Sequence, residues 1–236
     1  MDVKQQARRA GLLYLLVALV APISLVVIPP LLLVSGDPEA TSARIVSSEW
    51  LIRLSVASEL LYQFLQVLLA IALFRLFRQV NEALAMQLVV FGALLPVPIV
   101  FVNVLNDLAA VYFASGTIPP GIDSTASKGL AYFFLYLHEQ GIVVAQFFWG
   151  VWLFPFGLLI LRSNFIPPAL GYLLFVAGAA YLLESAVNLL LPGEAELVKT
   201  ATGLLTLCEV PIVFWLLIWG ARLRSPEPGL DNRAKL

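Results

Sequence analysis

Long apolar runs follow one another along this chain, separated by short polar segments. Each is about 20 residues or more, enough to cross a hydrocarbon core about 30 Å thick at 1.5 Å of rise per residue. Six spans are predicted: Gly11 to Val34, Trp50 to Phe74, Leu84 to Ala114, Gly129 to Leu161, Phe165 to Leu191 and Ala201 to Gly220. A barrel strand would alternate in polarity, and segments such as Leu65 to Phe74 do not. The expected fold is therefore all-α: a polytopic membrane protein with a bundle of six transmembrane helices over residues 1–224. The third and fourth spans exceed what a bilayer needs and are expected to tilt, bend or begin outside it. Residues 225–236, with Pro226, Pro228 and Gly229, lack apolar periodicity and are expected to form a disordered cytoplasmic tail.

Composition removes the soluble alternative. Of 236 residues, 61% are hydrophobic and 12% charged, against about a quarter charged in ordinary globular proteins. A net charge of -1 gives no basis for a nucleic-acid partner, and the lipid bilayer is the partner that composition implies. The single cysteine, Cys208, excludes an intrachain disulfide and any multi-cysteine metal site.

Charge asymmetry sets an expected orientation. With the N-terminus inside, all but Arg44, Arg53, Lys128 and Lys199 of the 14 Lys and Arg residues fall on the cytoplasmic side, as the positive-inside rule favours. Both termini are then cytoplasmic, and the first span is read as a retained helix rather than a cleaved leader. On the outside, Asp37, Pro38 and Glu39 suit the start of a short surface helix. Ile45, Val46 and Trp50 would form its interfacial apolar side. Asp123 and Ser124 are expected to cap the fourth span after the break at Pro119, Pro120 and Gly121.

Polar residues inside the spans carry the candidate chemistry, because an ionisable group at the bilayer centre costs about 2.5–3.5 kcal/mol. They fall at helical spacing: Ser55, Glu59, Tyr62, Gln63 and Gln66 in the second span; Asn103, Asn106 and Asp107 in the third; Tyr181, Glu184, Ser185 and Asn188 in the fifth. The fourth span adds His138, Glu139 and Gln146, and the sixth Thr202, Thr206 and Glu209. Counted from the outer ends, Glu59, Asp107, His138, Glu139, Glu184 and Glu209 all lie roughly 10–15 Å deep. Inward-facing stripes at one depth would line a polar cavity open to the outside. Gln63, Asn103, Asn106, Gln146 and Asn188 would support it. So many acids at one level cannot all be charged unless a cation sits among them, so the cavity is expected to hold a cation or a shared proton, with His138 as partner to Glu139, Glu184 or Asp107.

Some chemistry is absent from the sequence. There is no phosphate-binding Gly-rich loop and no G-x-S-x-G elbow, and one His cannot make an H-E-x-x-H zinc helix or a paired Glu-x-x-His di-iron site.

Four stretches carry a resemblance by their order along the chain: Arg8 to Leu16 (RRAGLLYLL), Arg53 to Leu61 (RLSVASELL), Leu137-His138-Glu139 followed by Phe147 to Gly150 (FFWG), and Ala180 to Ser185 (AYLLES). Together they resemble the bacterial membrane family called Domain of Unknown Function 4386, over nearly the whole chain to about Arg224. The resemblance implies a six-helix, multi-pass inner-membrane protein and assigns no catalytic residue. Three functions stay open: a protein that binds or transports a cation, proton or small polar solute; a metal-dependent intramembrane hydrolase using His138 and carboxylates; and an accessory or sensory protein whose polar core is purely structural.

The orientation is directly testable. Cysteines placed at positions 37 and 123 should react with an impermeant thiol reagent applied from outside, and one at Arg78 should not. The opposite pattern would invert the topology.

Overall fold

The computed structural model describes residues 2–116 and 121–221. Every regular element among them is helical, and six helices are long and apolar enough to cross a membrane. They are α1 (Val3–Leu32), α3 (Glu49–Phe77), α4 (Glu82–Ala114), α5 (Ser124–Arg162), α6 (Pro168–Leu190) and α7 (Pro192–Ile218); the short α2 (Pro38–Ser47) lies between the first two. The chain is thus a multi-pass membrane protein. Pro119 and Pro120, the arginines at 222 and 224, and the tail from 225 lie outside the described residues.

The starts follow from capping chemistry. Asp37 accepts from the amide of Ala40 at 2.9 Å, with Pro38 at the first helical position of α2. Asp123 accepts from Ala126 at 2.7 Å and starts α5 several residues ahead of the apolar run. That early start is why α5 reaches 39 residues. In α2 the expected interfacial side is only partly realised. Val46 is exposed, but Ile45 is buried among Ile28, Leu32 and Ile52, and the exposed Trp50 belongs to the first turn of α3.

Prolines reshape three helices. A proline within a helix has no N–H for the carbonyl four residues earlier, and its ring crowds that carbonyl. After Pro22, α1 widens into a π-helical turn at Ile23–Val27, and before Pro96, α4 does so at Val90–Leu94. Before Pro211, α7 tightens into a 3-10 turn at Leu207–Glu209. Pro155 sits within the continuous α5.

Packing runs in a closed ring, α1–α3–α4–α5–α6–α7 and back to α1, with α2 laid across α4 and α5. The ring closes because Gly11 of α1 presents bare backbone to α7. A Cβ there would stand 2.4 Å from the amide nitrogen of Leu217. Arg8 adds a 2.9 Å hydrogen bond to the carbonyl of Ile218, a cation at a helix C-terminus. Helices α5 and α6 meet the same way at two levels, Gly157 against Gly171 and Gly150 against Gly178. Without a hydrophobic drive between helices in lipid, such close backbone approach is a main source of association.

Two dry clusters sit at opposite ends of the ring. One, near the N-terminus of α1, gathers Tyr14, Leu73, Phe77, Trp152, Phe156 and Leu216. The other, beneath α2, gathers Ile28, Ile45, Ile52, Ala110 and Leu135. Along α3, α4 and α5 the buried polar residues Glu59, Gln63, Asn103, Asp107 and His138 fall between them.

Glycines with and without neighbours should behave oppositely. Gly157→Val would drive its branched side chain into the carbonyl of Gly171, 2.8 Å from the added Cβ, and should cost about 1–3 kcal/mol. Gly203 has open space around it, so Gly203→Ala should be neutral or gain about 0.5–1 kcal/mol of helix propensity. Thermal melts in detergent read both; equal melting temperatures for the two variants would contradict the packing described.

Candidate functional site

Helical spacing puts Glu59 and Gln63 on one face of α3, and Asn103 and Asp107 on one face of α4. The ring then turns both faces towards His138 of α5. Ligand-capable atoms of Glu59, Asp107 and His138 all lie within 4.8 Å of one another, and all three residues are buried. The imidazole stands between the two acids, with Nδ1 3.1 Å from Oδ1 of Asp107 and Nε2 3.2 Å from Oε1 of Glu59.

Asn103 clamps this histidine twice. Its side-chain amide donates to the backbone carbonyl of His138 at 3.2 Å, and its own carbonyl oxygen lies 3.3 Å from Nδ1. Asn106 donates at 3.4 Å to the side-chain oxygen of Asn103. The clamp needs Gly141, because a Cβ at that position would fall 2.1 Å from Oδ1 of Asn103. With both a carbonyl and a carboxylate oxygen beside it, Nδ1 is the nitrogen that carries hydrogen. Nε2 therefore faces Glu59 as the variable position. Two lone pairs cannot rest 3.2 Å apart in a low-dielectric interior without a proton or a cation between them.

Glu59 is 0% exposed, and its carboxylate makes no well-aligned hydrogen bond; its polar partner is Nε2 of His138 at 3.2 Å. Gln63, one turn further along α3, lies beside the hydroxyl of Tyr62, the two buried side chains facing one another without a well-aligned hydrogen bond. A buried polar group left without a partner costs about 1–3 kcal/mol.

The six acid and imidazole candidates do not all meet at this centre. Glu139, half-buried, lines a cavity with Asp107, His138, Ser55 and Ser24 that reaches the last turn of α1 at Leu32. Glu184 accepts from Gln146 at 2.7 Å and from the hydroxyl of Thr202. Glu209 accepts from the hydroxyl of Tyr14, with Tyr181 beside it. Asn188 is half-buried near the end of α6. The proton partners of His138 are thus Glu59 and Asp107, where the sequence pointed to Glu139, Glu184 or Asp107.

Some polar side chains mend the helices. Pro96 deprives the carbonyl of Gly92 of its helical donor, and Gln66 supplies one at 2.9 Å. Ser58 donates to the carbonyl of Val20 at 2.8 Å, just before the π-helical turn of α1. Ser58 and Tyr14 escaped the sequence reading. The signal for Tyr14 was that a tyrosine in an apolar span needs a partner for its hydroxyl.

Residues 9–220 match the family described as Domain of unknown function (DUF4386), and the chain belongs to that family. Comparisons with curated proteins and with solved structures gave no match.

Gln66 and the acid–imidazole centre should separate on substitution. Gln66→Leu leaves the Gly92 carbonyl unsatisfied, and should lower stability by about 1–3 kcal/mol. It should leave the NMR signal of the His138 ring unchanged. A changed ring signal without destabilisation would reverse the assignment of Gln66.

Proposed function

We propose that this member of the family is a cation-handling protein of the bacterial inner membrane, which binds a proton or a metal ion at the Glu59–His138–Asp107 centre. The observation that carries the reading is the buried pair of carboxylates, Glu59 and Asp107, on either side of the His138 ring, at 3.2 Å from Nε2 and 3.1 Å from Nδ1. Carboxylates in that setting need positive charge. A proton on His138 supplies one unit and leaves the second acid to a further proton or a metal ion, since the ion pairs of Lys or Arg among the described residues are Arg53–Glu49 and Lys128–Glu39, away from the centre.

Access fits the same reading. The cavity beside Asp107 and His138 is also lined by Leu32 and Leu33, at the end of α1 that precedes α2. In the orientation that the charge asymmetry favours, that end faces outward, so a cation would reach the Asp107–His138 side of the centre from outside. The π-helical turn after Pro22 puts Ser24, which lines that cavity, in non-α backbone, a form of helix that ion-handling membrane proteins exploit. Binding is the minimum role of this site, and transport would add a second opening towards the inside.

The test is ligand linkage in the detergent-purified protein. Melting should be followed across roughly pH 5 to 8 and with Na⁺, K⁺, Ca²⁺, Mg²⁺, Mn²⁺ or Zn²⁺. At least one cation, or the pH change, should shift the melting temperature by several degrees. A hundredfold excess over Kd corresponds to about 2.7 kcal/mol. Glu59→Gln should fold and lose the response. If no cation and no pH change moves the wild type, and Glu59→Gln with Asp107→Asn leaves its melting unaltered, the cluster is packing and the reading is wrong.

A further inference from the structure

We propose that Glu59 and Nε2 of His138 are ligands of a divalent transition-metal ion such as zinc, manganese or cobalt, with Asp107 as the positioning residue that fixes the imidazole. This deepens the cation reading above and rests on it.

Three features of the centre favour such an ion. The first is the donor set. The site offers one imidazole nitrogen with carboxylate oxygen, a mixture that suits borderline transition metals. Calcium prefers six to eight oxygens. Glu184 and Glu209, which could have enriched the oxygen count, are bound to Gln146, Thr202 and Tyr14 instead.

The second is spacing. Ligand bonds of about 2.0–2.2 Å at tetrahedral to octahedral angles place neighbouring donors about 2.8–3.6 Å apart. Nε2 and Oε1 of Glu59 are 3.2 Å apart. Gln63, on the same face of α3 and 1% exposed, lies one turn away with the Tyr62 hydroxyl beside it.

The third is charge. With hydrogen fixed on Nδ1 by the Asn103 carbonyl and Asp107, the imidazole is neutral when Nε2 binds a metal. Two carboxylates then carry two negative charges in the apolar slab. A divalent ion cancels both at once, whereas an alkali ion leaves one uncompensated at the cost of an intramembrane charge and protons would have to bind two of the three groups. The Asp107–Nδ1–H contact becomes the carboxylate–histidine–metal arrangement that orients a ligating ring and strengthens it as a donor.

The chain contains one histidine, which makes the test specific. Protein purified through a tag without histidine, stripped with chelator and dialysed, should bind about one Co²⁺ per chain with a visible ligand-field band. Bound Cu²⁺ should show imidazole nitrogen coupling in pulsed electron paramagnetic resonance, which can come only from His138. His138→Asn and Glu59→Gln should weaken Co²⁺ binding at least a hundredfold, and Glu184→Gln should leave it unchanged. Asp107→Asn should weaken it about 10–100-fold while keeping the nitrogen coupling, and Asp107→Glu should recover part of the loss. No stoichiometric Co²⁺, no imidazole coupling in the wild type, or unchanged binding in His138→Asn and Glu59→Gln overturns the metal assignment. Should either variant fail to fold, the wild-type coupling alone decides. If Na⁺, K⁺ or protons stabilise the wild type through Glu59 while Co²⁺ does not bind, the metal assignment fails and the cation reading stands. If none acts, both fail.

Discussion

Inside a hydrocarbon layer there is no water to complete a hydrogen bond, so every polar atom of this chain must find its partner within the bundle. That constraint organises the structure. Gln66 is buried because Pro96 orphaned the carbonyl of Gly92, and Ser58 is buried where the backbone of α1 leaves regular α geometry at Val20. Tyr14 and Glu209 satisfy one another across the seam between the first and last helices. Against this background Glu59, Tyr62 and Gln63, whose polar atoms form no well-aligned hydrogen bond, stand out. In water-exposed protein they would be unremarked; between two apolar clusters they mark where the proposed cation would complete the bonding.

The six spans were legible because membrane crossing imposes a length that few other demands imitate. Polar faces were legible too, since residues three and four apart share one side of a helix whatever surrounds it. Grouping of the acids was less so. Depth along the axis can be counted from a sequence, but azimuth around the bundle depends on which helices are neighbours and how closely they approach. Glu59, Asp107 and His138 come from three helices consecutive in the ring, whereas Glu184 and Glu209 belong to α6 and α7 and find partners there. The 3-10 turn at Leu207–Glu209 adds a local change of pitch that no straight-helix count includes.

Close approach is supplied by the smallest residues. Gly11, Gly150, Gly157, Gly171 and Gly178 let backbones touch at the α1–α7 and α5–α6 seams, and Gly141 admits Asn103 beside His138. The same device thus closes the ring and seats the clamp on the imidazole. Packing and site geometry are one problem here, because the helix that holds the ring in place is positioned by the residue that lacks a side chain.

The π-helical turn at Val90–Leu94 has a consequence for how the centre is kept in register. A π turn accommodates one residue more than an α turn, and each residue carries about 100° of rotation and 1.5 Å of rise. All of α4 beyond it, including Asn103 and Asp107, is therefore phased by a loop of backbone about two turns or more away. Loss of a single residue there would swing both side chains off the imidazole without altering either of them. The angular aim of the centre is thus set by a spacer, and the span tolerates change of side chain along that stretch far better than change of length.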